Sequence, residues 1–261
     1  MIELPYTRKF SIDSYEIFVR VPNDYNDNTR DYPIIVLLDP NFLFTVLYGI
    51  KRVTDNNIII GIGHKGLDFS HEKAQDLNYR SNVYRVRDFL PFSLDPEIFM
   101  KGTEPELKRD MIQLSGQAND FASIIKYKIL PFIRDTFRVS NDSTLIGHSF
   151  GGVFTIFIYL LHPGIFQNYI SISPVLDSRY YLQKEMFTDV EQSNLKSKIY
   201  CAFGSLEKDP REPSALQIAE RNFCELMKNS HFKIEIIDGE DHTSIVPCAI
   251  LRGLKFIEAN C

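Results

Sequence analysis

The chain has 261 residues, 44% of them hydrophobic and 24% charged, with a formal net charge of −5. That length suits one large α/β domain spanning residues 1–261, with a core that needs no disulfide or metal staple. A mild negative charge without long single-sign runs argues against nucleic acid or an anionic membrane as the main partner. Residues 1–10 lack the apolar core of a signal peptide, and no apolar run approaches a membrane span. Cys201, Cys224, Cys248 and Cys261 are scattered without metal-ligand spacing. The expectation is a soluble, cytoplasmic protein with reduced thiols and no membrane contact, its oligomeric state left open.

In chain order, residues 8–11 and 14–21 read as an antiparallel hairpin. Residues 34–39 are a continuous apolar run ending at Asp39-Pro40, the pattern of a buried central strand, and residues 57–63 repeat it. From His64 to about Gln113 the rhythm breaks: the stretch is polar, aromatic and interrupted by Pro91, Pro96 and Pro105. A segment this long inside a compact domain is expected to form the wall or lid of a pocket, so 64–113 is assigned as such an insertion. Its aromatics, Phe69, Tyr79, Tyr84, Phe89, Phe92 and Phe99, favour order. Phe121, Ile124, Ile125, Ile129 and Phe132 recur at helical spacing, with a kink expected at Pro131. Strands follow at 144–147, 169–173, 198–203 and 232–237. Helices are expected over 153–161, around Leu216, Ala219, Phe223, Leu226 and Met227, and around Val246, Ala249, Ile250, Leu254 and Ile257. The alternation predicts a mostly parallel central sheet with helices on both faces and an N-terminal antiparallel hairpin.

Gly147-His148-Ser149-Phe150-Gly151 fits G-x-S-x-G between a strand ending at Thr144-Leu145-Ile146 and a helix beginning at Val153. A serine on such a turn is strained, with its hydroxyl projecting above the sheet, as in the α/β-hydrolase fold. Small residues at 147 and 151 are expected because strand and helix backbones approach closely there. A serine hydroxyl needs a base, and in this fold the partners follow in the order Ser, acid, His. His242, in a turn after the strand at 232–237 and before the last helix, is the candidate. His64, at another strand end, is a weaker rim candidate, and His148 and His162 read as structural. The acid should follow the strand at 198–203, where Glu207 leads, Asp209 is second and Asp241 third. Two amides should hold the oxyanion: that of Phe150 and, because Pro40 has no N–H, that of Asn41. Arg85 and Arg87 would sit at the pocket mouth and favour anionic substrates, or else form surface or lid salt bridges.

These residues resemble the putative esterase family of α/β-hydrolases, a group that includes siderophore, feruloyl and acetyl xylan esterases, S-formylglutathione hydrolases and mycolyl transferases. The segment Leu37-Leu38-Asp39-Pro40-Asn41-Phe42-Leu43-Phe44 is similar to the family's first oxyanion strand and loop. Tyr84-Arg85-Val86-Arg87-Asp88-Phe89-Leu90-Pro91 is similar to the Arg-Asp-x-x-Pro segment of its siderophore-esterase branch. Leu130-Pro131-Phe132-Ile133, Ile172-Ser173-Pro174, Gly204-Ser205-Leu206-Glu207 and Glu240-Asp241-His242 resemble the helix before the nucleophile strand, the strand after it, the acid loop and the histidine loop. Two departures stand out: many relatives have glycine where this chain has Pro40, and several have an aspartate acid or a Ser–His dyad. The resemblance implies a metal- and cofactor-independent serine esterase that cleaves small-molecule carboxylic esters through an acyl-enzyme, with siderophore-type lactones or aromatic esters as candidate substrates. The alternatives are an acyltransferase on the same fold and a non-catalytic binding protein with a relic triad.

Overall fold

A computed structural model describes residues 6–65, 74–94, 104–175, 197–207 and 231–259, with only the backbone described over 74–78. The hairpin is β1 (Thr7–Ile12) and β2 (Tyr15–Arg20), followed by β3 (Tyr32–Leu38). Helices α1 (Pro40–Tyr48) and α2 (Lys51–Asn56) lead to β4 (Ile58–His64). The 64–113 stretch contains α3 (Ala74–Phe89) and all but the last residue of α4 (Pro105–Leu114). Helices α5 (Ala118–Ile124) and α6 (Leu130–Thr136) precede β5 (Val139–His148), and α7 (Phe150–Leu161) leads to β6 (Asn168–Ile172). The chain then forms β7 (Lys198–Gly204), β8 (Phe232–Ile237) and α8 (Ile245–Glu258). The helix expected around Leu216–Met227 lies outside the described residues.

The sheet order is β1-β2-β4-β3-β5-β6-β7-β8. β1 and β2 pair antiparallel, as does β2 with β4, and every later pairing is parallel. Period-two alternation divides the core between the faces. Val36, Leu38, Leu145 and Tyr169 join Phe121, Ile129, Phe154 and Phe157 on one side. Ile35, Leu37, Ile146, Ile170 and Tyr200 join Leu43, Val246 and Ile250 on the other. Each such buried side chain contributes about 1.5–3 kcal/mol relative to exposure. Helix α7 is buried along its length from Phe150 to Leu160, which explains its nearly continuous apolar sequence.

Two elements differ from the sequence expectation. The helix expected over 121–132 is not one regular α-helix. The chain passes through a π turn over Ile125–Ile129, in which the Leu130 amide donates five residues back to Ile125, and Pro131 starts the next helix where no N–H is required. The 64–113 stretch also contains the 16-residue α3, whose weak periodicity concealed it. Among its described side chains the buried apolar stripe is Val83, Val86 and Phe89, set among polar residues and arginines.

Candidate active site

The parallel strands end along one edge of the sheet, and the residues just beyond them converge there. Ser149 follows β5 with φ 60° and ψ −119°, outside the backbone regions open to ordinary residues. The strain is held from both sides, because the Ser149 amide donates to the Ile172 carbonyl (2.9 Å) and its carbonyl starts α7 by accepting from Val153 (3.1 Å). Gly147 is required by close approach: a Cβ there would stand 2.1 Å from the Gly151 carbonyl oxygen. Gly151, expected to be equally constrained, has room for a methyl, its nearest neighbour being 3.5 Å away. The crowding comes from its carbonyl, which any residue carries.

His242 and Glu207 come from the loops after β8 and β7 and meet through Nδ1 and Oε2 at 2.9 Å. Oε1 of Glu207 accepts from the Ser173 hydroxyl (2.6 Å) and the Gly204 amide (2.6 Å). Burial by itself would raise the Glu207 pKa, but the hydrogen bonds from His242, Ser173 and Gly204 outweigh it and hold it below the usual carboxylate range. An ionised Glu207 accepts the Nδ1 proton of His242 and leaves Nε2 with its lone pair. Of the other acid candidates, Asp241 accepts the amides of Thr243 and Ser244 (both 2.8 Å) at the start of α8. Asp209 lies outside the described residues. Sequence reasoning missed the part played by Ser173, although a polar residue just past the strand beside the nucleophile strand was the available signal.

Ser149 and His242 line one pocket of about 390 Å³, together with Asp39, Pro40, Asn41, Phe42, His64, Ser81, Arg85 and His148. No hydrogen bond joins Ser149 to His242 among the described residues, a looseness common before substrate tightens such a site. A groove of about 360 Å³ at the opposite end of the sheet, lined by Ile35, Asp142, Thr144 and Leu254, holds neither serine nor histidine. Asn41 occupies the first turn of α1 and Phe150 the first position of α7. Amides in these positions have no intrahelical acceptor and carry the positive end of the helix dipole. The Pro40 ring packs onto β4, where a Cβ at Gly61 would come within 2.5 Å of it, so glycine on the neighbouring strand accommodates the proline.

The two arginines part company. Arg85 borders the pocket, donates from Nε to Asp39 (3.0 Å) and from Nη2 to the His148 carbonyl (3.4 Å), and lies 5.5 Å above the Phe150 ring. It thus ties the β3–α1 junction, where Asp39 sits at φ 51°, to the serine turn. Arg87 instead donates from Nε and Nη2 to Asp88 (2.6 and 2.9 Å) and is not among the pocket-lining residues. The expected position at the mouth is met by Arg85 alone, because residues two apart on a helix face different ways.

His148, expected to be structural, touches the site. Its Nε2 donates to the His242 carbonyl (2.6 Å) and the two rings lie 4.7 Å apart. Burial pushes its pKa down from 6.5 to about 4. Between those values the unfolded chain binds a proton that folded His148 refuses, so stability falls as pH falls through the window, by about 3 kcal/mol in full. Thermal unfolding at pH 7 and pH 4.5 should therefore show a smaller acid loss for His148→Gln than for wild type. Equal losses would mean that His148 is not held neutral.

The fold and the serine turn define an α/β hydrolase. A family model described as putative esterase matches residues 107–244, more than half of the chain. Ferri-bacillibactin esterase BesA of Bacillus subtilis is 26% identical over 93% of this chain and 84% of its own length. A siderophore enterobactin esterase of Emericella nidulans is 25% identical over 85% of this chain and 81% of its own. The crystal structure of BES protein from Bacillus cereus superposes with a TM-score of 0.76 at 24% identity, covering 98% of this chain and 97% of that one. The chain belongs to the putative esterase family and is a carboxylic ester hydrolase.

Proposed function

We propose that Ser149, His242 and Glu207 form the catalytic triad and that the substrates are siderophore-type lactone or aromatic esters. The observation that carries the mechanism is the strained Ser149 in one pocket with a His242 whose Nδ1 is held by Glu207. Ser149 Oγ attacks the ester carbonyl while His242 Nε2 takes its proton, and the amides of Phe150 and Asn41 receive the oxyanion. The proton passes to the departing alcohol. Water then repeats the sequence on the acyl-enzyme, with His242 again as base. The substrate class is supported by the named activities of the two curated relatives and by Arg85 at the pocket wall, a donor suited to anionic groups. We read the chain as one domain with 64–113 as pocket wall, since Ser81 and Arg85 of α3 line the pocket. The reading extends to a cytoplasmic site of action, supported by the free thiols of Cys201 and Cys248.

A fluorophosphonate should label the protein at one equivalent, on Ser149, and stop hydrolysis. Across short-chain, benzoyl and catecholate esters, the catecholates should show the highest kcat/KM. Labelling elsewhere would displace the nucleophile, and a preference for short-chain esters would remove the substrate class.

A further inference from the structure

A second carboxylate–imidazole pair stands at the pocket, and the acyl transfer has no use for it. Asp88, near the end of α3, is buried, and its two oxygens collect four hydrogen bonds. Arg87 supplies two of them; the Tyr15 hydroxyl donates to Oδ2 (2.9 Å), and His64 Nε2 meets the same oxygen at 2.6 Å. Burial by itself would raise the Asp88 pKa, but the hydrogen bonds of His64 and Arg87 outweigh it and keep the group ionised. An ionised carboxylate only accepts, so Nε2 of His64 carries the proton. The ring is further fixed by stacking on Tyr84 (5.0 Å between centroids, 25° between planes) and by Tyr15 at 5.5 Å.

A purely structural ion pair would need no access to the pocket. His64 nevertheless lines it with Ser149 and His242, although only 7% of the residue is exposed. Its remaining nitrogen, Nδ1, has no hydrogen-bond partner among the described residues. With Nε2–H committed to Asp88, the other ring nitrogen of the corresponding imidazole tautomer, Nδ1, is the lone-pair acceptor. Of the other acceptors at this pocket, Asp39 already pairs with Arg85 and His242 serves as the base in the proposed acyl transfer.

We propose that His64 is a specificity-determining residue whose Nδ1 accepts a hydrogen bond from a hydroxyl group of the ester substrate, with Asp88 as the positioning residue that fixes its tautomer and orientation. This rests on the ester-hydrolase reading of the pocket and adds to it a chemical requirement. A hydroxyl-bearing ester pairs this nitrogen, whereas an ester without the hydroxyl covers it and leaves it desolvated and unpaired. Sites of this kind discriminate against the unpaired analogue.

His64→Gln isolates the atom concerned, because the glutamine amide N–H can replace Nε2–H toward Asp88 while Nδ1 is deleted. The experiment compares kcat/KM for a 2,3-dihydroxybenzoyl ester and the benzoyl ester of the same alcohol. The ratio of the two should fall about ten- to a hundredfold in His64→Gln. An unchanged ratio overturns the proposal, whether both rates drop together or neither does. If the wild-type enzyme cleaves neither ester, the substrate reading fails by itself, and a direct measurement decides the role of His64. In ¹⁵N-labelled Ser149→Ala protein, the His64 Nδ1 resonance should move upfield with the dihydroxybenzoyl ester and not with the benzoyl ester. A resonance unmoved by both, or moved equally by both, overturns the proposal without requiring turnover or a folded His64 variant.

Discussion

Ser149→Ala should reduce ester turnover on the order of a millionfold, equivalent to about 8 kcal/mol of transition-state stabilisation. The variant removes the atom that would carry the acyl group and leaves the base and the oxyanion amides with nothing to act on. Stability should change little or improve slightly. The Ser149 hydroxyl forms no hydrogen bond among the described residues, and alanine suits the turn no worse than serine does. The check is single-turnover hydrolysis on rigorously purified protein, with a thermal melt run alongside. Retention of more than a few per cent of the wild-type rate would place the nucleophile elsewhere.

The next largest effects belong to His242 and Glu207, and their order carries information. His242→Ala deletes the proton acceptor and should approach the loss seen for the serine variant. Glu207→Gln should cost about a thousand- to ten-thousandfold. The glutamine oxygen is directed toward Ser173 and the Gly204 amide, both of which donate where Oε1 now sits. Its amide N–H₂ is therefore turned onto His242 Nδ1. That inverts the tautomer: Nδ1 becomes the acceptor, Nε2 keeps the proton, and the base points the wrong way. Steady-state kinetics at neutral pH for His242→Ala, Glu207→Gln and Asp209→Asn decide among the acids. A near-wild-type Glu207→Gln with an inactive Asp209→Asn would transfer the role to Asp209.

How much of the site was legible follows from where its parts lie along the chain. The serine turn is local: a strand, G-x-S-x-G and an apolar helix are contiguous, so their chemistry and backbone strain can be read from some twenty residues. His242 was legible for a related reason, since position after a strand in a parallel sheet fixes the edge at which a residue emerges. The sequence ranked Glu207 ahead of Asp209 without excluding the second, because both follow the same strand. Choosing between them takes the hydrogen bonds of Ser173 and His242, which come from different strand ends. Arg85 and Arg87 looked equivalent because the helix that carries both was not read from the sequence. Only the packing of α3 turns one toward the pocket and the other onto Asp88.

The sequence by itself determined the order of the strands and of helices α7 and α8, the division of apolar residues between two faces of a sheet, and the strand–turn–helix pattern around Ser149. These depend on side-chain periodicity and on glycine-dependent close approach, properties of short contiguous segments. The tertiary structure alone placed Glu207 against His242, Ser173 against Glu207 and His148 beside His242, and brought His64 and Asp88 together as a second pair at the same pocket. Each of these is a contact between residues 24 to 94 positions apart. Such contacts are set by parallel strand order and by desolvation in the assembled core, and no local pattern of residues encodes either.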